Sequence, residues 1–270
     1  MESRLLTRPV ERIALRLALV GVFSAVYAVF RYIPTFPMYG LSGTSFRAGD
    51  FLAPMLGILL GPYLAVPCII IGTVVNYAAA PPVFLGLDFL PACSAAVVAG
   101  LIFSGKTKHA IGVYAALLGL FLILPLSTFL IKIPGGLQVP YTWLHLVALL
   151  ALISPIGLSA ARWSKMSTGT HQALGVLVMV FSATMASHLT GGVLYELIVF
   201  PTRGITTPIA ASYVWSFLFY IYPIERFIIT IVTSVFGVYA LRAIRSSGLE
   251  HAFAGIRRTS YPGPTQKIDS

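Results

Sequence analysis

FLAPMLGILLGPYLAVPCIIIGTVVNYAAA, residues 51–80, carries no charged side chain, and Gly61-Pro62 interrupts it near its middle. Thirty such residues, at ~1.5 Å each, are too many for one crossing of ~30 Å of hydrocarbon. The Gly-Pro step therefore predicts a tight turn between a short helix, Asp50–Leu60, and a longer one, Pro62–Ala80. Arg47-Ala48-Gly49-Asp50 stands directly before the stretch, so opposite charges sit at the mouth of this hairpin.

The rest of the chain has the same character. Its 270 residues are 57% hydrophobic and 10% charged, with a mean hydropathy of +0.89, and a water-soluble core of this size cannot hide that much apolar surface. The runs lack the period-2 alternation of barrel strands, so the expected class is an all-α polytopic membrane protein. Crossings are predicted at Ile13–Ile33, Asp50–Leu60, Pro62–Ala80, Leu87–Ser104, Ile111–Ile131, Tyr141–Ala161, Gln172–Thr190 and Pro223–Leu241, about eight in all. Ile209–Ile221 reads as a re-entrant or interfacial helix broken from the last span by Pro223. Residues 1–245 form one transmembrane domain, and 246–270 read as a disordered basic tail.

Lys and Arg fall unevenly on this map. Arg4, Arg8, Arg12, Arg16, Lys106, Lys108, Arg162, Lys165, Arg242, Arg245, Arg257, Arg258 and Lys267 share one side, against Arg31, Arg47, Lys132 and Arg203 on the other. The positive-inside rule then makes both termini cytoplasmic, in a multi-pass protein of the cell membrane. Contact with the lipid bilayer explains the net charge of +10 without a nucleic-acid partner. The first helix is read as uncleaved, and Cys68 and Cys93 lie inside spans, where they pack rather than pair.

Gly100-Leu-Ile-Phe-Ser-Gly105-Lys106-Thr107 matches the phosphate-loop pattern letter for letter. That pattern needs a strand before it and an acid to hold magnesium. Here the preceding residues finish a transmembrane helix, so a helix end with basic anchors is expected instead. No H-E-x-x-H or G-x-S-x-G occurs, so His145, His188, Glu196 and Glu225 do not add up to an enzyme, and no cofactor or metal is expected. His188 with Glu196 is too small a ligand set for a metal and reads as a hydrogen-bonded pair.

Ionisable groups at membrane depth are costly and mark functional sites. Arg47, Asp50, Asn76, Asp88, His188, Glu196, Glu225 and Arg226 all fall at or just below the outer face, with Tyr77, Tyr195, Trp215 and Tyr222 at the same level. Such a pocket suits a small polar or zwitterionic solute. The alternative is structural: Asp50 capping its helix beside Arg47, Glu225 satisfying Arg226, and the aromatics forming an interfacial belt. Ala14, Ala18, Gly21, Ala25 and Ala28 recur at spacings of four and three on the first helix, a face that lets another helix approach closely, whether internal or from a partner.

Several of these segments together resemble a family. Ala14-x-x-x-Ala18, Phe46-Arg47-Ala48-Gly49-Asp50 leading to Leu56-Gly57-Ile58-Leu59-Leu60-Gly61-Pro62-Tyr63, Gly86-Leu87-Asp88-Phe89-Leu90-Pro91-Ala92, and Tyr222-Pro223-Ile224-Glu225-Arg226 are similar to the substrate-capture (S) components of energy-coupling factor (ECF) vitamin transporters. The resemblance implies a six-helix core that binds a vitamin or related micronutrient from outside. It also implies that Ala14 and Ala18 meet a transmembrane coupling protein driven by two ATPase subunits. The spans between Ile111 and Ala161 are additional to such a core. An accessory subunit of a larger membrane complex and an independent secondary transporter are the other readings.

Overall fold

In the computed structural model, residues 9–38, 44–166, 169–249 and 253 are described, with side chains from Ile13 onward. The N-terminal Arg4 and Arg8, and all of the basic tail beyond residue 249 except Phe253, lie outside them. The Phe253 ring meets that of Phe23 edge-on at 6.2 Å.

Among the described residues the regular structure is helical apart from two short hairpins. α1 (Pro9–Tyr32) leads to β1 (Pro34–Pro37) and β2 (Ser45–Arg47), which pair antiparallel, and then to α2 (Gly49–Leu60) and α3 (Pro62–Asn76). α4 (Leu90–Phe103) and α5 (Thr107–Ile123) follow, then β3 (Leu130–Lys132) paired antiparallel with β4 (Gln138–Pro140). α6 (Trp143–Ile153), α7 (Pro155–Ser164), α8 (Thr170–Leu194), a π-helical turn (Tyr195–Val199), α9 (Phe200–Thr202) and α10 (Pro208–Ser246) complete it. Ile13–Tyr32, Thr170–Thr202 and Pro208–Ser246 are long and apolar enough to cross a membrane, and the bent pair α6–α7 has the composition of a fourth span. α2, α3, α4 and α5 are shorter apolar helices.

The hairpin expected at Gly61 is present. Gly61 adopts φ 73°, a conformation open to glycine, and Pro62 begins α3 with a fixed φ and no N–H to satisfy. α2 is buried along most of its length from Ala53 to Leu60. Its crossing with α4 brings backbone against backbone: a Cβ on Gly57 would lie 2.1 Å from the Ala96 carbonyl oxygen. Gly100 of α4 is in turn pressed against the Gly57 oxygen and Pro62. Close approach of this kind is how helices associate where lipid removes the hydrophobic gain.

Three expectations are corrected. The predicted span Tyr141–Ala161 is two helices bent by 67° at Ser154-Pro155. Pro155 cannot donate to the α6 ladder, and a Cβ on Gly157 would lie 2.3 Å from the Leu152 oxygen, so only glycine fits inside the bend. The predicted break at Pro223 does not occur, because α10 continues through it for 39 residues. Ala211, Trp215, Phe219 and Tyr222 recur at helical spacing on its buried face, and packing along that stripe outweighs the one hydrogen bond that proline forfeits. The span predicted to stop at Thr190 runs on through the π-helical turn to Thr202. Residues 100–107 are the end of α4, a turn at Gly105 with φ 78°, and the start of α5, with no strand before them. Both cysteines are free and buried.

α1 packs on α3 through Ser24, Tyr27 and Ala28, where Gly72 of α3 leaves room for the Ser24 carbonyl. Ala14, Ala18, Gly21 and Ala25 are exposed, and nothing lies within 4 Å of where a Gly21 Cβ would stand. The small-residue face, Ala28 apart, therefore serves no neighbour among the described residues.

The end of the bundle at Gly61, residues 104–106 and residues 165–166 is braced by basic groups. Arg245 donates to the Met166 (2.6 Å) and Ser164 (3.1 Å) carbonyls, meeting orphan acceptors at the end of α7, and Arg242 donates to Gln172 at 2.9 Å. Lys165 lies over the Phe103 ring at 5.4 Å. Burial pushes its ammonium below the ordinary lysine range, and Arg245 pushes it the same way.

Candidate functional site

At the opposite end the connections are longer, and they surround a cavity of about 190 Å³. Its wall comes from the end of α1, the β1–β2 hairpin, the start of α2, the end of α3, the 77–88 loop, α8 and the middle of α10. Arg47, Asp50, Asn76, Tyr77, Asp88, His188, Trp215, Tyr222, Glu225 and Arg226, all expected at the site, line it. Tyr195, expected at the same level, also lines it, and Arg31, Phe46, Phe84 and Ser187 join them.

The charges are held in different ways. Asp88 is the clasp of the 77–88 loop: its carboxylate accepts from the Val83 N–H at 2.8 Å, the Phe84 N–H at 3.1 Å and the Tyr77 hydroxyl at 3.5 Å. Tyr77 also donates to the Gly86 carbonyl at 3.0 Å. The clasp holds a turn in which Leu85 has φ 50° and Gly86 φ 91°, a left-handed pair that a leucine adopts only when its surroundings over-determine it. Asp88 thus contributes to the wall mainly through the loop it shapes.

Glu225 and Arg226 form a buried pair at 3.7 Å, the one ion pair within contact distance among the described residues. The Arg226 guanidinium also lies 5.6 Å from the centre of the Phe46 ring, a cation–π contact that ties α10 to the hairpin ahead of α2. Asp50 is in the first turn of α2 rather than at its cap, which is Ala48, and it interacts electrostatically with both Arg31 and Arg226. Asn76 Nδ2, Arg31 Nε and Arg226 Nε are buried donors without hydrogen-bond partners among the described residues. Unmet donors of this kind are costly in a settled core and are expected where a solute supplies acceptors.

Behind the wall is an aromatic stack. His188 lies on Tyr222 with ring centres 4.6 Å apart, and its Nδ1 is 3.0 Å from His145 Nε2 of α6. Tyr141, Phe121, Trp215 and Phe200 continue the stack. Two of its members are fixed by backbone acceptors: Tyr222 donates to the Tyr141 carbonyl at 2.9 Å, and Trp215 Nε1 donates to the Leu126 carbonyl at 2.8 Å. The helices that looked additional in the sequence therefore pack behind the cavity, against His188, Trp215 and Tyr222 of its wall.

Glu196 is the exception among the expected residues. It does not line the cavity and does not pair with His188; its carboxylate accepts from the Leu126 N–H and, at 2.9 Å, from the Ser127 hydroxyl. Glu196 lies in the π-helical turn, and its carboxylate is drawn to the 126–127 segment instead of the site. Among the described residues no group of three metal-ligating side chains occurs. Arg31, counted in the sequence only among the bases of that side, is a wall residue as well. It shares the buried stripe Ser24, Tyr27, Ala28, Arg31, whose spacing of three, one and three was the available signal.

No family model, curated protein or solved structure matches the chain.

Proposed function

We propose that this chain is the substrate-capture subunit of an ATP-driven importer of vitamins or related micronutrients, resembling the S components of ECF transporters. The observation that carries the reading is the cavity itself. One chamber gathers charged, polar and aromatic side chains from seven elements of the fold, while the opposite end has short turns and basic braces. Mixed charge against aromatic faces fits a small polar or zwitterionic solute.

In this reading the cavity end is the outer face, the basic end and both termini are cytoplasmic, and the helices make eight crossings, with α6–α7 as one bent span. The chain binds and translocates without enzymatic activity of its own. Asp50, Glu225 and Arg226 meet the solute while Asp88 orders the loop above it. The exposed face of Ala14, Ala18, Gly21 and Ala25 receives a helix of the transmembrane coupling protein, whose ATPase subunits drive release. Movement of the whole bundle against that partner distorts the cavity and lowers its affinity.

The test is purification in mild detergent from cells grown in rich medium, followed by mass spectrometry of the small molecules and proteins that accompany the chain. A vitamin-like compound near unit occupancy, together with an ATPase, is the expected result. Neither of these, but a stable set of other membrane subunits, would replace the reading with an accessory role in a larger complex.

A further inference from the structure

The cavity's least explained neighbour is the imidazole pair. His145 is wholly buried on α6, and the 3.0 Å contact of its Nε2 with His188 Nδ1 is its only side-chain hydrogen bond among the described residues. Stacking on Tyr222 fixes both rings, at 5.5 Å for His145 and 4.6 Å for His188. His188 lines the cavity; with Nδ1 committed to His145, Nε2 is the polar ring atom left to face it.

One ring must donate and the other accept, so two arrangements of protons satisfy the contact. If His188 donated from Nδ1, a neutral His145 would carry its own proton on Nδ1, which is buried and without a partner among the described residues. If His145 donates from Nε2, that same Nδ1 keeps only a bare lone pair. A buried orphan N–H is the rarer and costlier defect, so the second arrangement is favoured. His188, accepting at Nδ1, then holds its proton on Nε2.

We propose that His145 is a positioning residue that fixes the tautomer of His188, so that the cavity meets an N–H donor at His188 Nε2 and the captured solute places a hydrogen-bond acceptor, a carbonyl, carboxylate or ring nitrogen, against it. The solute half rests on the capture reading above, whereas the tautomer half stands without it.

Nitrogen NMR of 15N-histidine-labelled full chain in nanodiscs reads the tautomer directly. The chain has five histidines, so loss of one set of signals in His188→Phe assigns them. The expected pattern for His188 is a protonated Nε2 and a bare Nδ1, kept in His145→Gln, whose amide N–H can occupy the Nε2 position, and lost in His145→Phe. A wild-type His188 proton on Nδ1, a doubly protonated ring, or an unchanged pattern in His145→Phe would overturn the proposal; the wild-type spectrum decides even if that variant does not fold. The compound that accompanies the purified chain must carry an acceptor group, and a compound with donors alone overturns the solute half. Absence of any compound removes the capture reading and leaves the tautomer assignment to the spectrum.

Discussion

Replacing Asp88 with Ala separates the loop's order from the stability of the bundle. The substitution deletes the acceptors of the Val83 and Phe84 amides, at 2.8 and 3.1 Å, and the weaker Tyr77 contact at 3.5 Å. A hydrogen bond to a charged group contributes ~1.5 to 3 kcal/mol. Phe84 is buried, so water cannot take the carboxylate's place there, and the cost at its amide is about 2 kcal/mol; the more open Val83 recovers part of its loss. Two kcal/mol is a factor of about 30 in the local opening equilibrium. Hydrogen exchange read by mass spectrometry, in nanodiscs, reports it cleanly. Pro81 and Pro82 have no amide hydrogen, so a peptide that begins there reports first on Val83. Exchange at Val83 and Phe84 should quicken by about that factor, while α2 and α4 keep their protection, because the clasp closes only its own loop. The Leu85 backbone, released from φ 50°, should relax at the same time. Unchanged exchange at both amides in the variant would refute the clasp and return Asp88 to direct contact with a solute.

Three further outcomes are expected. Gly57→Ala forces a methyl to 2.1 Å from the Ala96 oxygen and should lower the melting temperature in detergent, at a cost of ~1 to 3 kcal/mol or more, while Gly21→Ala, with open space around it, should not; equal melting of the two would contradict the α2–α4 crossing. Glu196→Ala removes the acceptor of the Leu126 amide and the Ser127 hydroxyl and should cost ~1.5 to 3 kcal/mol of stability with the retained solute unchanged; solute loss at an unchanged melting temperature would place Glu196 in the site after all. Asp50→Asn should weaken retention of the co-purified compound by ~1 to 3 kcal/mol, and full occupancy in a well-folded variant would remove Asp50 from contact.

Which residues would meet was legible where charge and depth speak together. A carboxylate or guanidinium inside an apolar run has few tolerable places, so Arg47, Asp50, Glu225 and Arg226 could be assigned to one chamber from their positions alone. Gly61-Pro62 announced its turn because two residues with opposite backbone constraints stand side by side. The rest depended on contacts between distant segments. Nothing near Pro223 in the sequence says that a stripe of aromatics will carry the helix through it, since that stripe gains its value from distant partners on α5, α6, α8 and α9. Glu196 was misplaced because its partners, Leu126 and Ser127, stand some 70 residues away in the sequence, where nothing marks them as such. The His145 and His188 pair, 43 residues apart, could not be read before α6 was seen to lie behind α8.

Length gives α10 a mechanical character. Arg226 at the cavity and Arg245 at the basic brace are joined by one unbroken rod of about 29 Å, at ~1.5 Å per residue. A tilt of ~5° about either end carries the other through about 2.5 Å, close to the whole length of the Arg245–Met166 hydrogen bond at 2.6 Å. The two ends therefore behave as the arms of a lever. A tilt that reshapes the chamber must also strain or release the brace, and a pull on the brace is felt at the chamber.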